Sequence, residues 1–534
     1  MTKRMNRLQR PLKPKGRAWP GHGIDRSGTP GNARPSVVIP VAALLALFAA
    51  SVDVASAPAQ WPPRIDPLLR VVDLNVGESQ RVTLSDGSEV NVELVKLKET
   101  LDDVRQAVRK AEATVKIDGH EATLVSATYN LPKTVGPAQV DCSITKGYNA
   151  RGSASSWGLD KDARLRLWPK GSPWVRPGTF GYPVKQRWFA TDTQMANSPV
   201  FVDGGELVAN KRNIYYHNDL DIGGAEGLVE VVSATDALVV SSGGETLPEH
   251  RRERDTPVSP RYDVVYLLDG RGWYYRYSHL TEIDPAIKIG ARVRLGDRIG
   301  LLGKEGGSGG WSHLHFGPKS RQPSGKWGSQ EAYAFIWQAW LKERNPRLIA
   351  VARPQHFIWA GDVATLDGSR SWARSGQIAS FEWTFGDGSK ANGAKVKRKY
   401  ERAGRYSEIL KITDDQGNID YDFAVVQVLD RELKDQSRLS IHAAFSPTMG
   451  VKAGDPVTFK VRTFGTTHGR EKWNFGDGSP IVHSRSDGNV QKLSPDGYAI
   501  LTHRFSKPGH YLVHVERTNE RGIRAETRLR VVVD

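Results

Sequence analysis

Two copies of one short string, spaced by the length of a small β-sandwich, set the architecture of this chain. "FEWTFGDGS" ends at Ser389 and "EKWNFGDGS" ends at Ser479, and their tryptophans, Trp383 and Trp473, stand 90 residues apart. Each copy is followed by an aromatic residue and then by glycine and a second aromatic, in "KYERAGRYSEILKITDDQGN" and "HRFSKPGHYLVHVERTNERG". A fixed period of this size implies tandem domains. The aromatics of the string suit a sandwich core, and Gly-Asp-Gly suits a tight turn. Asp387 and Asp477 also admit a reading as calcium ligands, although a single carboxylate is too few for a Ca²⁺ site. The second copy has a longer stretch between Ser479 and its closing strands.

With 534 residues the chain is too long for one core. Its 53 glycines, 30 prolines and 15 tryptophans favour a loop-rich, mainly β protein. In the region 60–175, "QRVTLSDGSEVNVELVKLKET" alternates like two strands joined at an Asp-Gly turn. "TLDDVRQAVRKAEATVKI" begins with a capping residue and reads as a short helix. This region is a small β-rich domain of unassigned role. Residues 176–330 hold short apolar or alternating runs with close turns, which predict a compact antiparallel fold. The polar, proline-containing segment 241–261 reads as a long hairpin loop or insertion. His250 within it reads as a solvated surface histidine. "EAYAFIWQAWLKERN", within 331–347, predicts a helix ended by Pro346, either a docking helix or a connector. The two repeat domains then occupy 348–432 and 440–534.

The net charge is +16, from 75 Lys and Arg against 59 Asp and Glu. Half of it, +8, lies in residues 1–36. The remaining body is moderately basic. That is either a solvated surface or an attraction to an anionic polymer such as a cell wall. No nucleic-acid motif accompanies it, so nucleic acid is not an expected partner. The single cysteine, Cys142, excludes an intrachain disulfide and reads as a small buried residue. Residues 1–59 form a basic lead followed by "VVIPVAALLALFAA" and small residues. The apolar run has signal-peptide length, so export to a periplasmic, cell-surface or secreted location is expected, with an uncleaved anchor as the rival reading.

Five residues carry the chemistry: His217 and Asp221 in "YYHNDLDIGG", His279 in "YRYSHL", and His313 and His315 in "WSHLHFG". Imidazole and carboxylate hold zinc, and catalytic zinc sites usually keep three protein ligands and one open position. The side chains of His-x-x-x-Asp converge if a turn falls between them. In His-Leu-His on a strand both imidazoles share one face. One can then bind metal while the other faces a reacting group. Zinc brings the pKa of bound water near neutral, which generates a nucleophile for amide hydrolysis.

Residues 205–320 resemble the lysostaphin-type, LytM-like zinc endopeptidases. The resemblance rests on His217-Asn-Asp-Leu-Asp221, Tyr277-Ser-His279-Leu280, "VRLGDRIG" and His313-Leu-His315-Phe316, all in order. It implies an antiparallel β core with an open groove. It further implies one Zn²⁺ per chain on His217, Asp221 and His315, with His279 and His313 as general base or oxyanion stabilisers. The substrates it implies are glycine-containing or peptidoglycan cross-link peptides. Two departures bear on substrate choice. Asp219 stands where the family usually has glycine, and 241–261 is long. An inactive peptidase-fold scaffold or wall-binding protein, and a secreted protease acting on extracellular proteins, are the alternatives. The repeats resemble PKD domains, immunoglobulin-like β-sandwiches, which implies spacer or polymer-adhesion modules. Oligomeric state is not legible in the sequence.

Overall fold

The computed structural model describes residues 61–126, 128–149, 156–196, 201–203, 214–432, 439–492, 494–495 and 497–534. The basic lead and apolar run of residues 1–59 lie outside the described residues.

The chain is mainly β, as the alternation and turn residues require. Near the N-terminus two four-stranded antiparallel sheets face each other. One runs Arg70–Leu74, Ala163–Pro169, Ala138–Thr145, Lys133–Val135, and the other is a meander from Ser79–Thr83 to His120–Val125. Their inward residues, among them Leu74, Val92, Val115, Val140 and Leu165, form one core. The hairpin at Asp86-Gly87 is present, with Thr83 opposite Glu89. The helix expected over 100–117 is not. Asp102 caps a turn instead, accepting the backbone N–H groups of Val104 and Arg105 at 2.8 and 2.5 Å. Val108–Ile117 then runs as a strand with alternate residues buried. The period-two pattern from Ala111 onward outweighed a capping residue that serves a turn equally well.

The histidine-bearing region is built on a larger antiparallel sheet. Its consecutive strands are Glu245–Thr246, Ala237–Ser242, Val265–Asp269, Tyr274–Ser278, His313–Arg321, Leu220–Gly223 and Gln194–Ala196. The segment 241–261 joins two paired strands, so it is a long hairpin loop. Within it His250 is half-buried and not a free surface residue, because its Nδ1 lies 2.9 Å from the Tyr274 hydroxyl. The helix Tyr333–Arg344 buries Tyr333, Phe335, Ile336, Trp337 and Trp340 in the core beneath this sheet. It is docked through its first two turns, and Lys342, Glu343 and Arg344 at its end are exposed.

Two β-sandwiches complete the fold. Trp383 and Trp473 are fully buried in their respective cores. Asp387 and Asp477 accept the backbone N–H of Ser389 and Ser479, each at 3.0 Å, which is the turn role of the repeated string. The sandwiches share a sheet through a short parallel pairing of Gly404 with Arg524 and Arg405 with Ala525. Among the described residues no helix is long and apolar enough to cross a membrane.

Candidate functional site

The strands Leu220–Gly223 and His313–Arg321 pair so that Asp221 stands directly opposite His315 and Gly223 opposite His313. Directly opposed residues project to the same face, and so do His313 and His315 two apart on one strand. The strand Tyr274–Ser278 flanks the other side, with Ser278 opposite His315, and delivers His279 just past its end. His217 arrives one turn before Asp221. Asp219 between them has φ of 69°, and His279 has φ of 70°. Both are left-handed conformations that non-glycine residues seldom adopt and that recur at functional sites. They turn these side chains into the centre.

Three donor atoms meet there. His217 Nε2 lies 3.2 Å from Asp221 Oδ1 and 3.1 Å from His315 Nδ1, and His315 Nδ1 lies 3.0 Å from Asp221 Oδ1. Ligands about 2.0–2.2 Å from a tetrahedral zinc are roughly 3.4 Å apart, so this spacing fits a metal with three protein ligands. Two neutral imidazole nitrogens and a carboxylate are also the donor set that zinc takes. Burial opposes charge at Asp221, but His217 and His313 beside it hold its carboxyl well below the ordinary range.

The groups behind the donors fix their orientation. His315 Nε2 lies 3.3 Å from Asp219 Oδ2, behind the ring whose Nδ1 faces the centre. Asp219 is thus an outer carboxylate beside His315. Asp219 fits only because residue 317 is glycine. A Cβ there would stand 2.0 Å from Asp219 Cγ. On the other side, Tyr216 is buried next to His217, and its hydroxyl accepts the Val108 N–H of the N-terminal domain at 2.6 Å.

His279 and His313 flank the donors, with ring centroids 4.6 Å apart. His313 Nδ1 donates to the Trp311 carbonyl at 3.1 Å, and its Nε2 lies 3.5 Å from Asp221 Oδ1. Burial, with His279 and His315 nearby, holds the His313 imidazole well below its ordinary pKa, so it is neutral with Nε2 unprotonated. His279 Nδ1 donates to the Glu305 carbonyl at 2.6 Å, and its backbone N–H donates to Asp263 at 3.0 Å. Arg261 holds Asp263 through two hydrogen bonds of 2.8 and 2.5 Å. All five residues singled out in the sequence therefore meet in one place. Asp263, Arg261 and Trp311 were not singled out, because no spacing rule links them to the histidines. Cys142 is buried in the core of the N-terminal domain, and burial pushes its thiol up to about 12, so it is no nucleophile.

Three stretches of the chain match known families. Residues 215–324 match Peptidase family M23, and residues 345–428 and 440–533 each match the PKD domain. The chain thus carries an M23 (LytM/lysostaphin-like) domain followed by two PKD domains, which supports a metallopeptidase. Collagenase ColA of Clostridium perfringens is 33% identical over 81 residues, 15% of this chain, and the match spans only 7% of the collagenase. Among solved structures, a chain described as a glycyl-glycine endopeptidase LytM from Ruminococcus gnavus is 22% identical. That match covers 30% of this chain and 61% of the other, with a TM-score of 0.20. Lysostaphin is 16% identical, over 44% of this chain and 91% of its own, also with a TM-score of 0.20.

Proposed function

We propose that this protein is an exported zinc-dependent endopeptidase that hydrolyses peptide bonds in peptidoglycan cross-links. The observation that carries the reading is the convergence of His217 Nε2, Asp221 Oδ1 and His315 Nδ1 within 3.0–3.2 Å. Zinc held there would polarise the scissile carbonyl and activate water. His313, neutral and pinned at Nδ1 by the Trp311 carbonyl, presents Nε2 as a proton acceptor. His279, pinned at Nδ1 by the Glu305 carbonyl, serves the developing oxyanion or the departing amine through Nε2 once that nitrogen carries a proton from the attacking water. Asp263 accepts the His279 backbone N–H and lies 3.5 Å from its Nδ1, which fixes the place of the ring. The apolar run 37–50 supports export, and the basic body supports attraction to an anionic wall polymer.

The test is zinc content together with digestion of purified sacculi. The reading requires about one zinc per chain and chelator-sensitive release of peptides. It also requires loss of both in His217→Ala and His315→Ala. Full hydrolysis in either variant would sink the ligand assignment. The likeness to a collagenase favours a second reading, hydrolysis of extracellular protein. Gelatin degraded while sacculi stay intact would establish that one instead.

A further inference from the structure

The C-terminal sandwich reaches the hydrolytic centre, and it does so through the loop that carries His313. Trp311 stacks on the His313 ring, with centroids 3.8 Å apart and planes 18° from parallel. Besides backbone bonds to its own domain, such as His313 N–H to the Gly303 carbonyl at 3.0 Å, this loop takes contacts from the second sandwich. His442 meets Trp311 edge-on at 5.4 Å. The Tyr498 hydroxyl accepts the Ser312 N–H at 2.7 Å and donates to His442 Nδ1 at 2.9 Å. Burial pushes the His442 pKa down to about 3, with Arg405 adding to the effect, so Nδ1 stays an acceptor. Arg462 donates to the Gly310 carbonyl and is itself held by Asp487 at 2.8 and 2.6 Å. Gly310 has φ of 87°, and a Cβ there would stand 2.3 Å from Asn489 Oδ1.

Asp487, Asn489 and Tyr498 all lie in the longer stretch that sets the second sequence repeat apart from the first. The buried Arg517–Glu471 pair braces that stretch, because Ser486 donates from both its N–H and its hydroxyl to Glu471. The departure between the repeats thus has a physical use at the loop of another domain. A spacer module has no need of buried polar groups fitted to its neighbour, since each costs desolvation unless it is paired.

We propose that Tyr498, His442 and Arg462 are positioning residues for the hydrolysis put forward above: they hold loop 309–313 so that Trp311 fixes the plane of His313. The inference rests on that reading of the site. Its contribution is to orientation, so it shows in kcat more than in KM.

The test uses the full chain with zinc and soluble cross-linked muropeptides. Tyr498→Phe keeps the ring and removes both hydrogen bonds of the hydroxyl, so kcat should fall about tenfold with KM within about twofold. Zinc per chain stays the same, and amide exchange across 304–313 speeds up. Trp311→Ala should lower kcat similarly, and Trp311→Phe, which keeps a ring over His313, should recover most of it. Parent-like kcat and parent-like exchange in Tyr498→Phe would overturn the proposal. So would a Trp311→Phe variant as impaired as Trp311→Ala. A parent chain that binds zinc and hydrolyses nothing would defeat the peptidase reading itself. The exchange measurement would then decide alone whether the sandwich holds the loop.

Discussion

Asp219 shows how much a single residue's role depends on what the fold puts beside it. Two residues after His217 in sequence, it is only a carboxylate where glycine is usual. In the structure it backs His315, lies 3.4 Å from Lys319 and is buried. Burial disfavours its charge, yet Lys319 and His315 hold its carboxyl well below the ordinary range, so it is ionised at any working pH. Asparagine tolerates its left-handed backbone, so Asp219→Asn tests the charge and not the turn. Removing such an outer partner should weaken zinc binding by about 10- to 100-fold, read by competition with a chelator. Unchanged affinity would return Asp219 to a structural role. The five chemistry-bearing residues were legible because strand periodicity and motif order are local properties. Asp263 and Arg261 were not, since they reach His279 only through the pairing of two strands.

At the scale of elements, the seam between the sandwiches stores a pH dependence. Strand Gly404–Asp414 brings Glu408 next to Glu526 of strand Arg524–Val533. Both are fully buried. Burial, and then the Glu526 charge, raise the Glu408 carboxyl from an ordinary 4.5 to about 7. Glu526 stays ionised against its own burial because His514 and Arg524 face it. The folded chain therefore holds a proton on Glu408 that the unfolded chain releases above its ordinary pKa of 4.5. The associated stability is complete below that value and is lost as pH rises to about 7, up to about 3 kcal/mol for a shift of this size. Glu408→Gln mimics the protonated acid. Its Tm should match the parent at low pH and exceed it above pH ~7. A constant difference across the range would refute the assignment. Element type was readable wherever alternation ran long, as in Glu89–Leu101. It misled at 100–117, where one capping residue suggested a helix and only the packing of Val108, Ala111, Ala113 and Val115 against a sheet settles a strand. Burial of helix Tyr333–Arg344 on nearly every face was likewise invisible, because an aromatic-rich run fits a docked helix and a connector equally well.

At the scale of the whole molecule, repeats and composition suggest separable beads, and the buried polar contacts argue otherwise. Arg353, in the first segment of the first sandwich, pairs with buried Asp422 at 3.2 Å. Its guanidinium also donates to the carbonyls of Thr191, Asp192 and Gln194. Asp192 is in turn held by Arg405 at 3.1 Å, and Ala190 accepts the Arg530 N–H of the second sandwich at 2.9 Å. This segment continues into strand Gln194–Ala196, which pairs with the strand carrying Asp221. Both sandwiches thereby hold the segment that pairs with the strand carrying Asp221, while the N-terminal domain anchors Tyr216 beside His217. Domains joined by desolvated charges should not melt separately, because parting them would strand those charges in apolar surroundings until each domain also unfolds. Calorimetry of the chain should show one main transition. Arg353→Ala leaves Asp422 buried without its cation, so it should cost about 3–5 kcal/mol and weaken zinc retention as well. Independent transitions for the sandwiches, with zinc held normally in Arg353→Ala, would mean that they are spacers after all. A lowered single transition with zinc lost would mean that the hydrolytic domain is complete only with its neighbours in place.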